Sequence, residues 1–250
     1  MPANTNKARQ TFTLVNLQSA CSKCGLRELC LPTGLTPEDM ALLDELVSSR
    51  SRIKRGENLY HTNDHFKAIF AVRSGFFKTN VLHEDGRDQV IGFHMAGDIL
   101  GMDGISTERH HCNAVALEDS EVCVIPFAHM EELGRAVAPL QQHIHKMISR
   151  EIVRDHGVML LLGSMRAEER LSAFLLNLSQ RFMVRGYSPA EFNLRMTREE
   201  IGSYLGLKLE TVSRLFSKFQ NEGLIGVQLR SVRIIDIPGL KRILGQQPGS

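Results

Sequence analysis

Two groups of residues in this 250-residue chain have types and spacings suited to chemistry. The first is a cysteine cluster, Cys21-x2-Cys24-x5-Cys30, with Cys112 and Cys123 far downstream. Five cysteines, an odd number, argue against a disulfide framework, so the clustering reads as metal ligation or thiol chemistry. Thiolates are soft ligands, and four of them suit an iron–sulfur cluster or zinc. One loop supplies three; Cys112 and Cys123 compete for the fourth place, and local chemistry does not choose between them. Zinc sites built from local cysteines usually present two C-x-x-C pairs. One pair, one spaced cysteine and one distant cysteine depart from that pattern and point toward a cluster.

The second group lies between Thr197 and Asn221. Thr197-Arg198-Glu199-Glu200 has the form of a capping box, with Thr197 as N-cap and Glu200 three residues on. The helix it opens carries Ile201, Tyr204 and Leu205. Gly206 follows, where a tight turn can use positive φ. Leu207, Val212, Leu215 and Phe219 continue at helical spacing. Helix, glycine turn and helix make a helix-turn-helix. The second helix presents Lys208, Glu210, Thr211, Ser213, Arg214, Ser217 and Lys218 away from its apolar set. A recognition helix enters the major groove by its N-terminal half. There Arg214 can donate twice to guanine, and Glu210 can accept from cytosine N4. Lys208, Lys218, Arg195 and Arg198 are suited to neutralising phosphates. Ile225–Val227 and Val232–Ile235, joined near Arg230-Ser231, form a two-stranded wing.

These residues need elements to position them. Residues 1–34 form a polar leader ending in the cysteine cluster. Thr36 and Pro37 then open a helix, as N-cap and first helical residue. From Ile53 to Phe127, short apolar stretches alternate with turns such as Arg55-Gly56, Ser74-Gly75, Asp85-Gly86 and Gly97-Asp98. That spacing indicates an antiparallel barrel or sandwich, a sensor domain over 35–138. A long helix over 139–164 carries Ile144, Ile148, Ile152, Asp155, Met159 and Leu162 at intervals of four and three, a dimer seam. Asp155 stands where the seam wants an apolar residue. Facing its own copy, it would hold a homodimer near its threshold, unless it points to solvent. A further helix, Ala167–Val184, opens the DNA-binding domain over 165–250. That last part has 13 basic against 8 acidic residues, net +5, while the remainder has 17 against 20, net −3. A basic C-terminal third suits a polyanionic partner. No apolar run reaches the ~20 residues that span a bilayer, and no signal peptide is evident, so no membrane role and a cytoplasmic location are expected.

The stretches CSKCGLRELC, IGFHMAGDILGMDGI, EVCVIPF, AEERLSAFLLNLSQRF and MTREEIGSYLGLKLETVSRLFSKFQ resemble the CRP/FNR superfamily of bacterial regulators, and within it the fumarate–nitrate reduction (FNR) group. The resemblance runs from Cys21 to about Gln220. It implies an α+β architecture: an N-terminal double-stranded β-roll sensor, a long dimerisation helix and a C-terminal winged helix-turn-helix. It implies Cys123 as the fourth ligand and an oxygen-labile [4Fe-4S] cluster on Cys21, Cys24, Cys30 and Cys123, whose loss dissociates the dimer. Cys112 then remains a plain, partly buried thiol. Glu210, Ser213 and Arg214 match base-reading positions, Ile152 and Asp155 match dimer-helix positions, and the target is a palindromic double-stranded site resembling TTGAT. Contact with RNA polymerase through exposed barrel loops is also implied.

Structural zinc and a thiol sensor are the alternatives at the cysteines. A related class binds cyclic nucleotide in the same barrel, through an Arg-Ser or Arg-Thr pair. Here that segment reads Arg109-His110-His111-Cys112-Asn113, so the phosphate clamp is missing. No G-x-x-x-x-G-K-[ST], H-E-x-x-H or G-x-S-x-G pattern is present, which argues against an enzyme. The pairs His110-His111 and His143/His145 read as surface or core histidines, because i, i+2 residues do not share a helix face.

Overall fold

The computed structural model describes residues 14–15, 21–31, 35–47, 49–82 and 86–245. Most of the leader and Asp85 of the expected turn lie outside the described residues. In chain order, β1 (Leu14–Val15) precedes a single 3-10 turn at Cys21–Lys23, α1 (Arg27–Cys30) and α2 (Pro37–Leu46). The strands that follow are β2 (Ser49–Ile53), β3 (Asn58–Tyr60), β4 (Ala68–Ser74), β5 (Phe76–Leu82), β6 (Asp88–Met95), β7 (Ile99–Leu100), β8 (Asn113–Ala116) and β9 (Ser120–Pro126). Then come α3 (Phe127–Ala136), α4 (Ala138–Ser164), α5 (Ala167–Val184), β10 (Glu191–Asn193), α6 (Arg198–Leu205) and α7 (Leu209–Asn221). The chain closes with β11 (Ile225–Gln228), β12 (Ser231–Ile234) and α8 (Ile237–Ile243).

The chain forms two compact units, residues 1–77 with 94–144, and residues 78–93 with 145–250. Two sheets form the expected β-roll. One sheet runs β1-β2-β9-β4-β7 and the other β3-β8-β5-β6. Side chains alternate across a strand. In β2 this turns Ser51 and Ile53 inward and Arg52 out to solvent. On β9, Val122 is fully buried, and the adjacent Cys123 lies on the other face, opposite Arg50 of β2 and Ala71 of β4. Against the outside of this sheet pack α2, α3 and the start of α4, through Leu43, Leu46, Ile69, Met130, Val137 and Leu140. Thr36 caps α2 reciprocally with Asp39, as Thr-Pro leads one to expect.

In the second unit, α5 spans the residues read from the sequence, Ala167–Val184. The wing departs from expectation. It is three-stranded, in order β10-β12-β11, because Glu191–Asn193 pairs antiparallel with Ser231–Arg233. The Thr197 capping box is formed, with Glu200 N–H donating to Thr197 Oγ1 at 3.1 Å and Thr197 N–H to Glu200 Oε2 at 2.7 Å. Gly206 ends α6 in the left-handed region, φ 63°. Gly202 serves a different need. A Cβ there would stand 2.5 Å from the Leu207 carbonyl oxygen, so only glycine lets α6 approach the turn this closely. Gly202→Ala should therefore cost roughly 1–3 kcal/mol by overpacking. Thermal denaturation is the check, and an unchanged midpoint would contradict this account.

Candidate functional site

The reading face of α7 follows from how the helix is buried. Val212, Leu215, Phe216 and Phe219 face the unit's core. Lys208, Glu210, Ser213, Arg214, Ser217 and Lys218 are exposed, and Thr211 is half-buried. A groove of about 480 Å3 beside Ser213, Arg214, Ser217, Lys218, Asn221 and Glu222 accompanies this face. The six expected reading residues are thus brought to one side of one helix.

Two of the expected phosphate cations have other occupations. The Arg198 guanidinium lies 3.1 Å from the Phe216 ring centroid, and burial pulls its pKa down to about 10. Its charge supports packing between α6 and α7. Lys218 Nζ is 2.6 Å from Glu168 Oε1 and 3.7 Å from Glu222 Oε1. The Glu168 hydrogen bond holds this exposed ammonium's pKa above its usual value. Sequence reasoning also missed Arg170. Its guanidinium donates to the carbonyls of Leu162, Met165 and Leu205, at 2.8, 2.9 and 2.9 Å, tying the end of α4 to the end of α6. Segment 78–93 steadies α6 as well. Lys78 Nζ stands 3.0 Å from Glu200 Oε1, and Val90 N–H donates to Ser203 Oγ at 2.8 Å.

The cysteine loop is positioned by three contacts. Ser22 N–H and Oγ–H donate to the Asp44 carboxylate of α2, at 2.9 and 2.7 Å. A Cβ on Gly97 would fall 2.8 Å from Leu29, so the glycine lets α1 seat against the roll. His143, buried near the start of α4, has Nε2 3.1 Å from the Cys30 carbonyl oxygen. The histidine that looked incidental in the sequence therefore joins the loop to the long helix.

None of the five cysteines forms a disulfide, and Cys112 differs from the other four in its burial. It is buried, and its Sγ donates to Asp103 Oδ2 at 3.4 Å. Cys21, Cys24, Cys30 and Cys123 are instead near enough for their charges to interact. Burial, then Cys123, Asp44 and Cys24, push the Cys21 thiol up to about 11. Burial, then Cys24, Cys123 and Cys21, push Cys30 up to about 12. Burial also raises Cys123, although Arg50 and Arg73 oppose it. Among the described residues, no group of three or more His, Cys, Asp or Glu side chains is placed so that it could hold a metal ion.

The long helix exposes part of its seam. Ile148, Ile152 and Met159 are 37%, 49% and 62% exposed, and Asp155 is exposed beside them. Ile144 differs from the expectation. It packs against the first unit's own core, because its turn of α4 lies over α3 near Gly134.

A family model for the Crp-like helix-turn-helix domain matches residues 169–243, and one for the cyclic nucleotide-binding domain matches residues 50–136. The transcriptional regulatory protein Btr of Bordetella pertussis is 50% identical over 227 residues, 91% of this chain and 94% of that protein. The chain belongs to the CRP/FNR family. The transcriptional activator Anr of Pseudomonas aeruginosa is 44% identical over 92% of this chain and 94% of its own length. The fumarate and nitrate reduction regulatory protein of Escherichia coli is 40% identical over 90% of each chain. Among solved structures, FixK2 of Bradyrhizobium japonicum superposes with a TM-score of 0.72 at 27% identity, covering 80% of this chain and 98% of that one. Within the CRP/FNR family this chain is a DNA-binding transcription regulator close to the FNR group, not an enzyme. No helix among the described residues is long and apolar enough to cross a membrane.

Two outcomes follow from this geometry. Arg198→Ala should lower the stability of the DNA-binding unit by about 1 kcal/mol, through the lost ring contact and packed stem. An unchanged melt with only a shallower salt dependence of DNA binding would restore Arg198 to the phosphate role. In metal-free, reduced protein, Cys21 should be alkylated about 100-fold more slowly at pH 8 than an ordinary cysteine, since only thiolate reacts. Its folded pKa is raised, so reactivity should climb as pH rises toward 11. Pulsed iodoacetamide labelling with mass spectrometry measures this.

Proposed function

We propose that this chain is an oxygen-responsive regulator. As a homodimer it binds a palindromic, TTGAT-like site on double-stranded DNA while Cys21, Cys24, Cys30 and Cys123 hold a [4Fe-4S] cluster. The observation that supports the reading is that Cys21, Cys24, Cys30 and Cys123 lie near enough for their charges to act on one another, and that Cys112 is not among the groups that act on them. Burial, and then neighbouring sulfurs, raise the pKa of Cys21, Cys30 and Cys123, so these three are poorly placed as thiolates unless a cationic centre offsets their charge. The donor set is all sulfur, which suits iron–sulfur chemistry. When bound, such a cluster supplies a centre that oxygen degrades. Structural zinc on the same thiols is the alternative.

The chain's own residues connect loop to helix. Asp44 fixes the loop through Ser22, and His143 fixes it through the Cys30 carbonyl. A change in loop position therefore bears directly on α4, whose seam is the proposed dimer contact. Asp155 keeps that contact marginal, because two carboxylates meeting in a desolvated seam repel. A marginal equilibrium turns a small local change into association or dissociation. In the dimer, two copies of α7 present Glu210, Ser213 and Arg214 to successive major grooves. Lys208, Thr211 and Lys218 lie on the same face, toward the backbone. The cytoplasm and RNA polymerase are the proposed location and partner.

Anaerobic purification is the deciding experiment. Brown protein with about four irons per chain, dimeric by sedimentation and monomeric after air, is expected. Colourless, zinc-loaded protein whose mass air does not change would overturn the cluster reading and leave DNA binding intact. Asp155→Ala should keep the protein dimeric in air, and sedimentation showing no gain would count against the marginal seam. On DNA, Arg214→Ala should cost about 1–3 kcal/mol and relax specificity at one position, whereas Lys208→Ala should weaken all sequences and reduce the salt slope by about 1. Equal losses on cognate and random DNA for Arg214→Ala would remove its reading role.

A further inference from the structure

On the outer face of the β1-β2-β9-β4-β7 sheet, three arginines gather around one carboxylate. The strand registers bring them together. Arg50 of β2 stands opposite Cys123 of β9, and Arg52 stands opposite Glu121, two residues before that cysteine. Ala71 of β4 faces Cys123 from the other side, and Arg73 follows two residues along the same strand. Ser51 and Val122 alternate with these residues, point the other way and are buried. The Glu121 carboxylate is 3.1 Å from Arg73 Nε, 3.6 Å from Arg50 Nη1 and 3.7 Å from Arg52 Nε.

Glu121 alone does not balance this group. Three guanidiniums against one carboxylate leave two positive charges on a partly buried face. The Arg50 side chain is only 16% exposed, and its Nε is buried with no hydrogen-bond partner among the described residues. An unpaired buried N–H and an excess of poorly hydrated charge both carry a cost that an anionic acceptor removes. Arg52 differs, because it is 68% exposed and water screens its charge. Against the burial that raises the Cys123 thiol, Arg50 and then Arg73 act in favour of the thiolate. Arg50 acts in the same direction on Cys21, where burial again dominates.

We propose that Arg50 and Arg73 are positioning residues that supply the counter-charge for a tetrathiolate centre on Cys21, Cys24, Cys30 and Cys123, with Arg50 also offering its unpaired N–H to a sulfur. This rests on the reading of those cysteines as ligands. Four thiolates on a doubly positive core leave about two negative charges, which the two positive charges of this face offset. The match holds for an iron–sulfur core and for zinc alike.

Cobalt(II) titration of the reduced, metal-free, full-length protein under nitrogen tests this. The sulfur-to-cobalt charge-transfer band reports thiolate ligation whichever metal the cysteines otherwise take. Arg50→Met and Arg73→Met should each weaken cobalt binding about tenfold. Arg50→Lys keeps the charge and should lose no more than about threefold. Arg52→Met should stay within about twofold of the wild type, because its charge is already screened. Wild-type binding that Arg50→Met and Arg73→Met leave unchanged would overturn the role of the arginines while keeping the cysteines as ligands. Equal losses for Arg50→Lys and Arg50→Met would overturn it too, since shape rather than charge would then be at work. Wild-type protein without the charge-transfer band would remove the cysteines as ligands, and the role of the arginines with them.

Discussion

The rest of the molecule depends on one constraint: α4 has more apolar surface than a single chain covers. It is one continuous helix of 27 residues. Its first turns bury Leu140 and Ile144 among the side chains of α2 and α3. Farther along, Ile148, Ile152 and Met159 remain open to water. A helix with an uncovered stripe is stable in water only at a cost, and a second copy of the same stripe removes that cost. Any device that adjusts the start of this helix therefore acts on an element whose remainder awaits a partner.

That dependence explains why small contacts near the cysteine loop matter. The loop carries little regular structure, one 3-10 turn and the four residues of α1. Such short pieces do not hold their own position. Asp44 and His143 supply it, one from α2 and one from α4. The loop is thus tied to the element that the proposed switch must move. The raised pKa values of Cys21 and Cys30 belong to the same logic: these sulfurs are held near one another at an electrostatic cost that a bound cationic centre would relieve.

What the sequence disclosed, and what it hid, divides along local and non-local lines. The capping box at Thr197, the turn at Gly206 and the span of α5 rest on neighbouring residues, and all were legible. Strand β10 was not. Three residues, Glu191–Asn193, become a strand only by pairing with β12, almost 40 residues later. Arg198 reads as a surface cation by type, and only the approach of α7 places Phe216 beneath it. His143 and His145 look alike in sequence, and the fold alone puts the first beside the Cys30 carbonyl. Ile144 has the right spacing for the seam, but spacing does not reveal that α3 reaches it first. The cysteines were legible as a set through type and spacing, whereas the choice of Cys123 over Cys112 needed the family resemblance. Cys112, just before β8, has its thiol on Asp103.

The charges around α7 bear on how discriminating the proposed reader is. Affinity gained by neutralising phosphates is the same for every sequence, so each cation committed to it adds binding without adding discrimination. Here Arg198 is spent on an aromatic ring and Lys218 is held by Glu168. For Lys218 to reach a phosphate it must leave that carboxylate, which offsets part of the gain. Those two cations then add less to the non-specific term, while Glu210, Ser213 and Arg214, the proposed base readers, remain exposed. A single domain that gives up part of its phosphate contribution binds more weakly. Two domains held by a common seam bind much more tightly through effective concentration. Weak single domains therefore make DNA binding follow the state of the α4 seam, which is the condition a switch built on association requires.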